Sequence, residues 1–167
     1  IETEYAPELK INYKKTGNET LLRCHGLSKK IGERTLFPDV FLEVNQGTRL
    51  ILKGGNGCGK STLLKGILQE GIIDGCISKS AEMKISYLPQ KFNYFNGSIE
   101  EFIEANHLEP KIFFPVLAQL GVNSKDFGNK ISELSMGQKK KIYIAKSLCE
   151  EANLYIWDEP LNYLDVS

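Results

Sequence analysis

The chain has 167 residues, the size of one domain, and its 21 basic residues balance 21 acidic residues. A formal net charge of zero excludes a global field that would draw the chain onto nucleic acid or an acidic membrane, so any such binding must be local. A hydrophobic fraction of 41% excludes intrinsic disorder, and no apolar run approaches the roughly 20 residues of a membrane-spanning helix.

The four cysteines are widely spaced and form no C-x-x-C pair; they are Cys24, Cys58, Cys76 and Cys149. This spacing argues against a zinc site and a disulfide framework, and it fits a reducing cytosol. Because the first residue is Ile1 rather than Met, we expect the chain to be a piece of a longer protein.

The first half of the chain predicts strands that lead into a glycine-rich loop. Residues 1–20 are polar and read as an arm that ends in a turn at residues 16–18. Strand-like residues begin at Leu21, and the alternation over residues 40–44 predicts a second strand before a turn at 45–47. A further strand is predicted over residues 49–52.

The residues after the glycine-rich loop predict mostly helices. Apolar residues recur at helical spacing just after the loop, at Leu63, Leu64, Ile67 and Leu68. Residues 91–133 look mostly helical, with a capping box at 98–101 and a second helix over 111–120 that Pro115 disturbs. A second capping box at 135–138 precedes another helix, and residues 154–157 predict a strand apolar on both faces.

The glycine-rich loop matches G-x-x-x-x-G-K-[ST] and lies between a predicted strand and a predicted helix. Its residues are Gly54, Gly55, Asn56, Gly57, Cys58, Gly59, Lys60 and Ser61, followed by Thr62. Glycines let backbone N–H groups point inward at an anion, and the following helix adds its positive dipole end. Lys60 would reach the β- and γ-phosphates of a nucleotide, and the Ser61 hydroxyl would bind Mg²⁺.

Two carboxylates, Asp158 and Glu159, directly follow the apolar strand. At a strand end on the phosphate side, Asp158 can hold Mg²⁺ through its water shell, and Glu159 can orient or deprotonate the attacking water. By themselves they would be two solvated carboxylates; beside a phosphate loop they favour nucleotide hydrolysis.

Three further motifs stand in a characteristic order with these: residues 88–90 (LPQ), 134–138 (LSMGQ) and 155–160 (YIWDEP), with Asp165 beyond them. In order and spacing the series resembles an ABC-type ATPase domain from about residue 21 to residue 165. The resemblance implies an α/β fold, a P-loop NTPase three-layer sandwich with an antiparallel β subdomain and a small helical subdomain over about residues 91–133. The ATP-binding domain would span residues 21–167, and residues 1–20 would end an interdomain linker.

The same resemblance implies roles for the remaining motif residues. Gln90 would contact the metal and the attacking water. The signature residues Ser135, Gly137 and Gln138 would bind the γ-phosphate of a nucleotide held by a second such domain, because a capped helix start exposes N–H groups. ATP and Mg²⁺ are the expected cofactors, and Asp165 belongs to the D-loop.

The chain also departs from the family pattern. Ile31 stands near the position where the family has an aromatic residue that stacks on adenine. Adenine would then be held by apolar contact only, or by another aromatic residue such as Tyr13 or Phe37. Met136 replaces a signature glycine. The family's switch histidine lies about thirty residues beyond the carboxylates that correspond to Asp158 and Glu159, whereas both histidines of this chain lie upstream of these two residues. We therefore expect the last part of the core to be missing, either because the sequence is part of a longer chain or because another copy or segment fills the gap. We also expect the fragment alone to be a weak or inactive ATPase.

Among ABC proteins, residues 158–165 (DEPLNYLD) and the short segment from Gln90 to Leu134 resemble the ABC-F class, in particular its antibiotic-resistance members. This implies the second ATPase domain of a cytoplasmic protein that acts on the ribosome and its rRNA. The ATP-binding subunit of a membrane transporter shares every catalytic motif and stays an alternative, as does a clamp driven by ATP binding alone. A P-loop kinase is disfavoured because the signature has no role in such an enzyme. A GTPase is disfavoured because no guanine-reading N-K-x-D motif follows the loop. The run Lys139–Lys141 is interpreted as a solvated helix face in preference to an RNA contact.

Overall fold

The computed structural model describes residues 13–15, 17, 19–48, 50, 52–91 and 93–159. The chain divides into two compact units, which we treat separately. The strand unit comprises Lys14–Ile85 and Ala152–Asp158, and the helical unit comprises Ser86–Glu151 with Tyr13 and Glu159. Most of the predicted arm over residues 1–20, and Asp165, lie outside the described residues. In the part of the chain that is described, no helix has the length and apolarity needed to cross a membrane.

The strand unit contains an antiparallel sheet in the order β2-β1-β3, formed by β1 (Thr20–Ile31), β2 (Arg34–Asn45) and β3 (Asp74–Lys79). Cys24 at the centre of β1 lies opposite Leu42 of β2 on one side and Ile77 of β3 on the other. The predicted strands beginning near Leu21 and over residues 40–44 are confirmed; β3 was not predicted. Its Gly75 has a φ of 109°, and a methyl group there would lie 2.6 Å from the carbonyl oxygen of Gly26, so glycine lets β3 approach β1.

The predicted helix after the glycine-rich loop is confirmed as α1 (Lys60–Leu68), which buries Leu63, Leu64 and Ile67. The strand predicted over residues 49–52 is wrong at Leu50 and Leu52, which are outside any strand and 52% and 36% exposed. Arg49 and Ile51 lie outside the described residues. An apolar run becomes a strand only with a hydrogen-bonded neighbour, and the described sheet of β1–β3 contains none for this segment.

Two short strands flank the helical unit in sequence. β4 (Ile85–Leu88) was not predicted, and the division between the two units falls within it. β5 (Leu154–Trp157) confirms the predicted strand at those residues, with Ile156 buried and its neighbours half-buried. Asn153 anchors the start of β5: its side-chain amide donates to the carbonyl of Lys14, and its Oδ1 accepts from the N–H of Lys84.

Among its described residues, the helical unit contains the α-helices α2 (Ile99–Ala105), α3 (Pro110–Gln119) and α4 (Met136–Cys149). Both predicted capping boxes are present, at Ser98 and at Ser135. The helices share one apolar core, whose buried members are Ile99, Phe102, Ile103, Phe113, Leu117, Val122, Ile131, Leu134, Ile142 and Ala145. Helices this short are marginal in isolation, so this shared core supplies most of their stability.

The predicted helix over residues 111–120 is not ended by Pro115. α3 continues past Pro115 to Gln119, because Phe113 and Leu117 on its opposite face are completely buried.

The interpretation of Lys139–Lys141 as a solvated face is wrong. Lys140 is 2% exposed, and the Lys139 ammonium lies 5.2 Å from the centre of the Tyr94 ring. Successive residues of a helix point about 100° apart, so a run of three cannot share one face.

Candidate nucleotide site

The glycine-rich loop of the strand unit is exposed over Gly54–Cys58 and ends at the start of α1. Gly57 and Gly59 have φ values of 76° and 98°, which glycine adopts without strain. Gly59 is the N-cap residue of α1 and caps it with no side chain. The first N–H groups of α1, from Lys60 to Thr62, therefore face the loop with the positive end of the helix dipole behind them. This is the arrangement that binds phosphate in proteins.

The Lys60 side chain is folded back onto this loop. Its ammonium donates hydrogen bonds to the carbonyl oxygens of Gly54, at 2.8 Å, and Gly55, at 3.1 Å, and lies 4.0 Å from the Cys58 sulfur. A positive charge is thus held within the turn of the loop, bonded to oxygens that phosphate oxygens could replace.

Ser61 and Asp158 meet in the strand unit although they are 97 positions apart in sequence. The Ser61 hydroxyl, on the first turn of α1, donates to Oδ2 of Asp158 at 2.6 Å, and Asp158 is only 4% exposed. Both are hard oxygen donors of the kind Mg²⁺ prefers, and Mg²⁺ usually completes its shell with water and substrate phosphates. The donor pair therefore fits Mg²⁺ bound with a nucleotide. Among the described residues no cluster of three or more His, Cys, Asp or Glu could hold a metal by itself.

Gln90 and Glu159 meet in the helical unit. Nε2 of Gln90 donates to Oε2 of Glu159 at 2.6 Å, and both side chains are half-buried. Glu159 has a φ of 51°, a left-handed conformation that costs a non-glycine residue about 1–2 kcal/mol. Strain of this kind is concentrated at functional sites. The amide of Gln90 thus fixes the orientation of the Glu159 carboxylate.

The predicted signature residues lie at the start of α4 in the helical unit. The hydroxyl oxygen of Ser135 accepts from the backbone N–H of Gln138 at 3.2 Å, and Oε1 of Gln138 accepts from the N–H of Ser135 at 3.1 Å. The Gln138 amide also donates to Oδ2 of Asp126 at 2.8 Å. Ser135 is exposed and Gly137 is half-buried. Sequence reasoning missed Asp126, since no periodic or motif signal joins it to a residue twelve positions later.

The residues considered for adenine binding are placed differently from one another. Ile31 is 61% exposed and Tyr13 is 36% exposed. Phe37 is buried, and its Cδ1 lies 2.8 Å from where a methyl group on Gly59 would be. Its ring therefore packs against the end of the glycine-rich loop. Asp165 and residues 160–164 lie outside the described part of the chain.

Comparisons with known proteins place these features in a family context. Residues 37–162 match the family model described as ABC transporter. A ribosome protection protein of Bacillus subtilis, VmlR, is 29% identical over 169 aligned residues, which cover 99% of this chain and 31% of that protein. The zinc import ATP-binding protein ZnuC of Rickettsia bellii is 34% identical over 158 residues, covering 88% of this chain and 65% of that protein.

A solved structure of an ATP-binding protein from Pyrococcus furiosus, described as an ABC transporter, superimposes with a TM-score of 0.75 at 24% identity. The match covers 87% of this chain and 78% of that one. At this identity the likeness establishes the fold, which is the P-loop NTPase fold of ABC ATPases. The chain spans about a third of VmlR and just under two thirds of ZnuC.

Proposed function

The chain belongs to the ABC transporter family as an ATP-binding domain, and from that membership we propose that it is the ATP-binding and hydrolysing domain of a cytosolic ABC-F protein that acts on the ribosome. The contact of Ser61 with the buried Asp158 carries the nucleotide part of the proposal. It joins the helix after the phosphate loop to the carboxylate after β5 through two oxygen atoms suited to a Mg²⁺–nucleotide complex.

In this proposal the strand unit binds the triphosphate. The N–H groups of residues 54–62 surround the β- and γ-phosphates, and Lys60 exchanges its bonds to the Gly54 and Gly55 carbonyls for bonds to phosphate oxygens. Ser61 and Asp158 would hold Mg²⁺, which when bound neutralises charge on the β- and γ-phosphates.

Glu159 is proposed to act on the attacking water, and Gln90 to hold Glu159 in place. As the water oxygen forms its bond to the γ-phosphorus, the bond from that phosphorus to the leaving oxygen of ADP breaks. The water proton passes to the carboxylate of Glu159. The signature residues Ser135, Gly137 and Gln138 would bind the γ-phosphate of a nucleotide on a second ATPase domain, so that two domains enclose ATP head to tail.

The ribosomal part of the proposal is supported by the likeness to VmlR over 99% of the chain and by the ABC-F-like sequence at residues 158–165. The corresponding experiment is co-sedimentation of the full-length Glu159→Gln protein with ribosomes, with and without ATP. Gln can still accept a hydrogen bond from Gln90 but is too weak a base to accept the water proton, so this variant should bind ATP and hold the closed state. Glu104→Gln, an exposed carboxylate on α2, is the matched control.

ATP-dependent pelleting of Glu159→Gln, but not of Glu104→Gln, is the expected result. Loss of ATP binding in Glu159→Gln would show that Glu159 does not act on the water. The competing proposal is the ATP-binding subunit of a membrane transporter, which the 34% identity with ZnuC favours. Recovery of the protein with an integral membrane partner, and none with ribosomes, would decide for the transporter.

A further inference from the structure

At the start of α4, the signature residues Ser135 and Gln138 are hydrogen-bonded to each other, and Gln138 is also hydrogen-bonded to Asp126, which lies outside the motif. One end of the Gln138 side-chain amide, Oε1, accepts from the N–H of Ser135 at 3.1 Å. The other end, Nε2, donates to Oδ2 of Asp126 at 2.8 Å. Asp126 and Gln138 are half-buried, whereas Ser135 is exposed. The capping amide is therefore held at both of its ends.

The carboxylate of Asp126 determines which way this amide points. The oxygen and NH₂ ends of a glutamine are nearly the same shape, but rotation of the Gln138 amide would set its NH₂ against the N–H of Ser135, donor against donor. An ionised carboxylate accepts only, so it draws the NH₂ end toward itself and leaves Oε1 for Ser135. A hydrogen bond to a carboxylate is also about twice as strong as a neutral one.

We propose that Asp126 is a positioning residue for the ATPase reaction: through Gln138 it orients the Ser135 hydroxyl toward the γ-phosphate of a nucleotide bound by a second ATPase domain. The Ser135 oxygen accepts from the N–H of Gln138 at 3.2 Å, so a lone pair is occupied and its O–H remains to donate outward. The inference rests on the proposed function, because it requires the signature to face a nucleotide.

The backbone around Asp126 is held independently of its side chain. Asp126 lies in a 3₁₀ turn, Ser124–Asp126. Its N–H donates to the carbonyl of Asn123 at 2.9 Å, and its carbonyl accepts from the N–H of Asn129 at 3.1 Å. A change of the side chain should therefore leave the turn folded, which makes substitution a clean test of the contact with Gln138.

The experiment measures steady-state ATP turnover by the full-length protein carrying Asp126→Ala, Asp126→Asn or the exposed control Glu104→Ala. Asp126→Ala should lower kcat about tenfold while the KM for ATP stays within about twofold, since ATP itself is bound by the phosphate loop. Asp126→Asn keeps an oxygen that can accept from Gln138 but loses the charge and can also present a donor, so its kcat should lie between those of Asp126→Ala and the unmodified protein. Glu104→Ala should behave as the unmodified protein.

A second arm exchanges the two partners in a double variant, Asp126→Asn with Gln138→Glu, which has the same net charge as the unmodified protein. Gln138→Glu places two carboxylates against each other and should lower kcat at least as much as Asp126→Ala. Adding Asp126→Asn to it provides an amide that donates to the new glutamate, whose other oxygen accepts from Ser135. Because the charge at position 138 is the same in both variants, the double variant should turn over ATP severalfold faster than Gln138→Glu alone. A merely structural role for Asp126 would lower the melting temperature without this reciprocal rescue, so thermal unfolding is measured for each variant.

The proposal is overturned if Asp126→Ala turns over ATP normally, if Asp126→Asn is as damaging as Asp126→Ala, or if the exchanged pair gives no rescue. If Asp126→Ala does not fold, the exchanged pair decides. Ser135→Ala separates this proposal from the proposed function. Normal turnover in Ser135→Ala would remove the signature role itself, whereas impaired turnover there together with normal turnover in Asp126→Ala would remove only the positioning role.

Discussion

Replacing Gly59 with alanine perturbs the phosphate loop in two ways that the structure lets us separate. Gly59 has a φ of 98°, and a methyl group there would lie 2.8 Å from Cδ1 of the buried Phe37 and 3.3 Å from Cβ of Leu36. The left-handed backbone costs an alanine about 1–2 kcal/mol, and the overlap with a buried ring adds about 1–3 kcal/mol. Gly59→Ala should therefore lower the free energy of unfolding by about 2–5 kcal/mol.

Two neighbouring glycines are matched controls. Gly57 has a φ of 76° but open space around its position, so Gly57→Ala should cost only the backbone part, about 1–2 kcal/mol. Gly55 is not among the glycines with positive φ and has nothing within 4 Å, so Gly55→Ala should change stability by less than about 0.5 kcal/mol.

Thermal unfolding of the 167-residue chain followed by the fluorescence of Trp157, its one tryptophan, measures this series. Trp157 lies on β5 in the strand unit, the unit that contains the loop. At about 2–4 °C per kcal/mol for a chain of this size, Gly59→Ala should melt about 4–20 °C below the unmodified chain. Equal melting temperatures for Gly59→Ala and Gly57→Ala would show that the Phe37 overlap costs nothing, and an unchanged Gly59→Ala would refute the reasoning entirely.

Three further outcomes are expected. Without Mg²⁺, Ser61→Ala should bind a fluorescent ATP analogue as tightly as the unmodified chain does. With Mg²⁺ present, its affinity should be about tenfold lower than that of the unmodified chain. Ser124→Ala, at an exposed serine, is the control, and an equal effect of Mg²⁺ on Ser61→Ala and the unmodified chain would contradict the metal assignment. Burial, and then the nearby Glu150 carboxylate, raise the pKa of Cys149 from 9.0 to about 11, so its stabilising effect is complete below pH 9 and is lost as the pH rises toward 11. Urea unfolding at pH 8 and pH 10.5 should show a smaller decline in Cys149→Ala, and an identical decline would contradict the raised pKa. Phe102→Ala, at a ring 2% exposed and 5.1 Å from the centre of the Tyr143 ring, should destabilise the helical unit by about 3–5 kcal/mol, against little change for Ile112→Ala at a side chain 51% exposed; similar urea midpoints for the two would contradict the core assignment.

The sequence by itself determined the features whose interactions are local. The two capping boxes at Ser98 and Ser135 each join residues three positions apart, so four consecutive letters contain both partners. The phosphate loop is similar, since its glycines and the start of α1 lie within one contiguous segment. The order of motifs along the chain was enough to predict the ABC ATPase fold, which the solved structures bear out. The roles of the individual site residues, the domain limits and the ribosomal partner stay predictions.

Only the tertiary structure decided which distant residues meet and which apolar runs find a partner. Ser61 reaches Asp158 across 97 positions and Gln90 reaches Glu159 across 69, and the motifs predicted a role for each without predicting these contacts. Asp126 belongs to no motif, so its hydrogen bond to Gln138 could not be predicted from the sequence. The strand prediction at Leu50 failed for the same reason. The apolar pattern is visible in the sequence, but a strand forms only where a neighbouring strand supplies hydrogen-bond partners. A side chain's chemistry is written in the chain, whereas its neighbours are set by how the whole chain packs.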